Sequence, residues 1–181
     1  MQWYGWRVPV ILAALVVGLS FFFAVQWLYN HYNYQEPLSR VLRAEKAVQS
    51  FSIEKRDGLF NITVRLKGTA DLRETYRKLK KSIEDVLGRH PYTLEIRDNR
   101  DQELNNAYYY SQFALYEAQV RGNYREMVRY IEERAASVGA QANISLDDEN
   151  IYVHMKHGEH HLYAVVPRRV NLNPETADSY R

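Results

Sequence analysis

The sequence predicts an α+β protein: one N-terminal transmembrane helix, then a β-β-α-β unit, a long, bent or broken helix and a three-stranded antiparallel meander. Three observations carry this. Residues Val8 to Tyr29 form a run of 22 without a single charge. Two segments of strict apolar alternation flank Asp57-Gly58, and three more alternating segments lie between Ala142 and Val166. Between these blocks, apolar side chains recur at spacings of three and four over residues 70–87 and again from about 102 to 138.

The N-terminal run comes first. At 1.5 Å per residue it reaches roughly 33 Å, enough for a hydrocarbon core of about 30 Å. Trp3 and Trp6 lie before it and Trp27 and Tyr29 close it, the aromatic belts expected where a spanning helix meets its two interfaces. No small-x-small cleavage pattern follows Phe21-Phe22-Phe23, so the helix is expected to stay as a signal anchor rather than leave with a signal peptide. Ala14 and Gly18 make a small-x-x-x-small pair, a candidate face for helix dimerisation. Arg7 abuts the helix on one side, while the ten residues after Tyr29 carry no Lys or Arg. That asymmetry places the short tail 1–7 inside and the large domain on the extracytoplasmic side of a plasma membrane.

Residues 30–47 read as a linker with a short helix, Leu38, Val41, Leu42 and Val48 falling at helical spacing. A soluble α+β domain is then expected over 48–167. In the first unit (48–97), Asp57-Gly58 suits a two-residue turn whose central residues need positive φ; it pairs Ile53 with Ile62 and Phe51 with Val64. A helix follows over 70–87, opened by an Asp71/Glu74 capping box, buried along Leu72, Tyr76, Leu79, Ile83 and Val86, and closed by Gly88. A strand through Tyr92, Leu94 and Ile96 ends the unit. In the second (102–167), Tyr109, Phe113, Tyr116, Val120, Tyr124, Met127, Ile131, Ala135 and Val138 trace one helical stripe, with Gly122-Asn123 as a bend or a tight turn. Three strands follow, turning at Asp147–Asn150 and at Gly158-Glu159, with the apolar residues from Ala142 to Val166 expected on one face against the long helix. Residues 168–181 lose pattern and are expected to be a mobile tail.

Composition narrows function by exclusion. The 24 basic and 22 acidic residues leave a net charge of +2, which gives no electrostatic reason for a nucleic-acid partner. There is no cysteine, hence no disulfide scaffold, thiolate metal site or cysteine nucleophile. No nucleophile elbow, phosphate loop, dinucleotide fingerprint or His-Glu-x-x-His motif occurs. The reading is therefore a protein that is not an enzyme and takes no cofactor. It is read as a membrane-anchored accessory or assembly component of a bacterial-type cell envelope, working through protein–protein contact, with the lipid bilayer and an envelope protein as partners and a homodimer as one form of assembly. The exposed tyrosines of the long helix are the candidate contact surface, since tyrosine offers large contact area at small entropic cost.

Two further groups of residues suggest chemistry. Four histidines, His154, His157, His160 and His161, crowd one hairpin and would make the module a metal- or ligand-binding sensor; with Gly158-Glu159 at the turn, however, His154 and His161 lie diagonally on the solvent face and His157 and His160 near the turn on the other, so the four do not converge. Arg73, Arg77, Lys80 and Lys81 form a basic face suited to anionic headgroups or an acidic partner, and equally to plain solvation.

The α-β-β-α-β order over Leu38–Ile96, with turns at Asp57-Gly58 and Lys67-Gly68, is similar to that of BON domains and of the ring-building modules of secretion and sporulation complexes. Arg89-His90-Pro91 stands where BON domains carry a glycine-valine pair. The resemblance implies envelope assembly or lipid contact. Gly122-Asn123-Tyr124-Arg125-Glu126 with Tyr130-Ile131 resembles the turn and second helix of a tetratricopeptide repeat; a lone repeat cannot bury its own face, so this implies only a local helix-turn-helix.

Overall fold

A computed structural model of the chain describes residues 7–30, 34–68 and 71–168. Their order is α1 (Arg7–Asn30), α2 (Glu36–Ala44), β1 (Val48–Arg56), β2 (Leu59–Leu66), α3 (Leu72–Leu87), β3 (Tyr92–Arg97), α4 (Gln102–Arg121), α5 (Tyr124–Ala136), β4 (Gln141–Leu146), β5 (Asn150–His157) and β6 (His160–Pro167). The α+β class holds, with two three-stranded sheets and five helices among these residues.

Helix α1 has 24 residues, but its side chains are described only for residues 11–23 and Val25, all of them exposed. Among the described residues no helix is long and apolar enough to cross a membrane. The aromatic belt residues Trp3 and Trp6 and the side chains of Trp27 and Tyr29 lie outside the described residues, as does the expected tail from 169 onward.

The first sheet, in the order β1-β2-β3, starts from the expected hairpin. Asp57 and Gly58 take φ of 52° and 83°, and Ile53 pairs with Ile62 and Phe51 with Val64. Strand β3 returns parallel to β2 after α3. Asp71 begins α3 by accepting the Glu74 backbone N–H at 2.9 Å, and Gly88 ends it with φ of 58°. One face of this sheet is wet, with Asn61, Thr63, Thr93 and Glu95 outward. The other packs Phe60, Ile62, Val64 and Leu66 against Leu72, Leu79, Ile83 and Leu87 of α3 and Leu38 and Leu42 of α2. Tyr76 and Val86, expected within the α3 stripe, are only partly buried at its margin, while Thr75 and Leu87 are buried.

The second sheet is the antiparallel meander β4-β5-β6, in the expected register: His157 pairs with His160, Lys156 with His161 and His154 with Tyr163. Its odd-numbered β5 residues Ile151, Val153 and Met155, with Leu162, sit in a core shared with α4 and α5. The opposite face is where the expectation fails. It does not face solvent: Tyr152 and Tyr163 are buried in the first core, and the Tyr152 ring packs at a tilt against Tyr76 of α3 with ring centres 5.8 Å apart. The meander is thus a middle layer, covered on both sides. Ile151-Tyr152-Val153 and Leu162 to Val166 are continuous apolar runs, the pattern of a strand buried on both faces.

The long helical pattern resolves into two helices. Gly122 adopts φ of 74° and donates its N–H to the Ala118 carbonyl, stopping α4 in the left-handed conformation; α5 restarts at Tyr124 and folds back on α4. Because a Cβ at Gly122 meets open space but must adopt this φ, Gly122→Val is expected to cost about 1–2 kcal/mol through backbone strain alone. Thermal unfolding of the full chain in detergent, followed by circular dichroism, should show that loss with unchanged helix content.

Candidate functional site

Helix α4 carries two apolar stripes, and the structure buries the one with smaller side chains. Leu104, Ala107, Leu115 and Ala118 enter the core, and Ser111 joins them by donating its hydroxyl to the Ala107 carbonyl at 2.8 Å. Short side chains let the helix lie close to the meander and to Met127, Ile131 and Ala135 of α5. The aromatic stripe has no room on that side. Tyr109, Phe113, Tyr116 and Val120, expected in the core, are 57%, 63%, 56% and 74% exposed. Only Tyr124 and the residues after it follow the expected stripe inward.

The outward rings are already arranged. Tyr109 stands edge-on to Tyr110 and to Phe113, with centroids 5.3 and 5.9 Å apart. The Arg134 guanidinium of α5 lies 4.4 Å from the centre of the Tyr110 ring, which holds that tyrosine against the second helix. Tyr130 of α5 extends the patch. From Leu104 to Tyr116 the helix bears no charge. This surface is aromatic and uncharged at its centre, with Glu103, Glu117 and Arg121 at its ends.

The four histidines fall into three separate arrangements. His154 and His161 stack with each other and with Tyr163, and their Nε2 and Nδ1 atoms are 3.1 Å apart. Contrary to the solvent face expected for them, they look toward the first sheet: the His161 ring is 3.4 Å from where a Cβ on Gly68 would lie. Burial, then the neighbouring His161 and Lys156, push the His154 pKa down to about 4. His160 places Nδ1 2.8 Å from the Asn99 carbonyl. His157 places Nδ1 2.6 Å from Oδ2 of Asp101, whose Oδ1 caps α4 by accepting the Leu104 N–H. That pairing raises the His157 pKa and lowers that of Asp101. Asp101, Glu103 and His157 each offer an atom within 4.8 Å of the others, yet the Asp101 carboxylate is already engaged through both oxygens. The cluster is complete as a cap and ion pair.

The basic face of α3 is likewise not free. Arg73, Arg77, Lys80 and Lys81 line a cavity of about 840 Å³ whose other wall is the acidic turn Asp147–Glu149. Lys80 pairs with Glu149, and Tyr152 donates its hydroxyl to Asp147 at 2.8 Å; burial, and then that bond, lift the tyrosine pKa to about 12. The cavity therefore joins opposite charges of two layers rather than offering a uniform anion site.

The two histidine environments give opposite pH dependences. His154 is held neutral in the fold, so its contribution is present above its ordinary pKa of 6.5 and is lost as pH falls toward about 4. His157 is favoured when charged: its contribution is full below 6.5 and is lost as pH rises through its raised pKa. Melting of the full chain should accordingly drop between pH 6.5 and 4.5, and His154→Gln should flatten that limb. His157→Gln should lower the melting temperature most near pH 5.5 and least above pH 9.

Compared with family models, with curated proteins and with solved structures, the chain finds no match.

Proposed function

We propose that this protein is a single-pass membrane-anchored, non-catalytic accessory or assembly component of a bacterial-type cell envelope, and that it binds protein through the outer face of α4. The observation carrying this reading is the uncovered aromatic stripe Tyr109, Phe113, Tyr116 and Val120. Apolar surface of this extent on an otherwise well-covered domain is costly to leave in water and marks a contact site.

The anchor rests on the uncharged run Val8–Tyr29 and its aromatic belts. The described side chains of α1 from Ile11 to Phe23 are exposed and apolar but for Gly18 and Ser20. The absence of Lys or Arg just after Tyr29, against Arg7 on the other side, supports an extracytoplasmic domain. A role without catalysis is supported by what the carboxylates do: Asp71 and Asp101 cap helices, and Asp147 accepts two backbone N–H groups of its own turn and the Tyr152 hydroxyl. The sensor alternative has less behind it, since the four histidines are divided among three sets of partners.

The test uses the full chain in its membrane. It should resist alkaline extraction and run on native gels in mild detergent at a mass above that of one chain. The double change Phe113→Glu with Tyr116→Glu should collapse that complex, while the melting temperature stays put because both sites are exposed. Release by alkali removes the anchor; a lone chain before and after the change removes the contact surface.

A further inference from the structure

Resting on that reading of the α4 face, we infer that its occupant is a second copy of this chain, docked through an antiparallel, two-fold α4–α4 contact.

Area is the first argument. Tyr109, Tyr110, Phe113, Tyr116, Val120 and Tyr130 are between 44% and 74% exposed. With aromatic side chains of about 150–250 Å² each, they present roughly 600–700 Å². A stable interface buries about 800 Å² on each partner, so this patch and its polar margin of Asn105, Asn106 and Gln112 meet the requirement for a dimer.

Self-complementarity is the second. A two-fold contact requires the patch to fit its own rotated copy, residue i meeting j and j meeting i. Centred on the stripe and run antiparallel, Tyr109 meets Val120, Phe113 meets Tyr116, and Glu117 falls beside the neutral Tyr110 of the other copy. No charge faces a like charge, and opposite ends of the two helix dipoles adjoin. A parallel arrangement instead sets like ends of the two helix dipoles side by side. The uncharged stretch from Leu104 to Tyr116 removes the remaining electrostatic objection to a copy docking on itself.

The chain lacks cysteine, so single introduced thiols report distances cleanly. Purified full-length protein in detergent is measured by light scattering. The expected mass is two chains, with Phe113→Glu plus Tyr116→Glu weakening the association by at least 100-fold and Gly18→Ile leaving it in place. Gln112→Cys, near the two-fold axis, should crosslink to its mate with a short bismaleimide; Asn105→Cys should not, because an antiparallel pair holds the two copies of that residue far apart. Crosslinking at both positions means a parallel pair and overturns the proposal. So does a dimer abolished by Gly18→Ile but not by the α4 change, which would place the contact in the membrane helix. A purified chain that is monomeric overturns it too; if the complex in the membrane still depends on Phe113 and Tyr116, the partner is another protein and the functional reading stands without the dimer.

Discussion

The arrangement of the two halves depends on four residues, Asp98 to Asp101, which tie the end of β3 to the start of α4. Each makes a bond that faces the β5–β6 hairpin or stabilises the link itself. Asp98 accepts the Tyr163 N–H and is clasped by both Nε and Nη2 of Arg100. Asn99 donates its backbone N–H to the His161 carbonyl, accepts the His161 N–H through Oδ1, and donates from Nδ2 to the Glu159 carbonyl. Asp101 caps α4 and pairs with His157. The polar link is therefore a splint along β6. It presses the meander against α3 and the first sheet on one side and launches α4 across the other.

From that constraint the three layers follow. A meander held between two helical layers must be apolar on both faces, and Tyr152 meets the requirement with a ring in the first core and a hydroxyl that reaches Asp147 at the rim. Among the described residues the first sheet has no such neighbour on its outer face, so Asn61, Thr63 and Thr93 remain wet there and the Thr93 hydroxyl bonds to Asn61. The histidines take their chemistry from the same layering. His154 lies between layers and its charged form is disfavoured by burial, whereas His157 lies at the edge beside the α4 cap, where the Asp101 bond favours its charged form.

Close approach of α4 to the meander decides which of its stripes is buried. Ala107, Ser111 and Ala118 allow backbone and sheet to meet, and the tyrosines and phenylalanine on the reverse side would require a wider separation that α5, anchored after only two residues, does not permit. The outcome is a helix whose larger apolar face stays uncovered among the described residues, and whose rings are braced by each other and by Arg134.

By itself the sequence determined what local chemistry decides. The Asp57-Gly58 turn, the hairpin and meander registers, the Asp71 cap and the Gly88 stop all appear where residue type and spacing place them, because each depends on atoms within a few residues or on strict alternation. Only the tertiary structure decided which face each element buries. Periodicity identifies an apolar stripe but not its neighbour: on α4 it favoured the aromatic stripe at Tyr109, Phe113 and Tyr116, while packing distance selected the smaller one at Leu104, Ala107 and Leu115. The same holds for His154 and His161, whose alternation is compatible with solvent until the first sheet is laid over them, and for His157, whose partner Asp101 lies 56 residues away along the chain. Contacts at that separation are set by how layers stack, and no pattern confined to one segment encodes it.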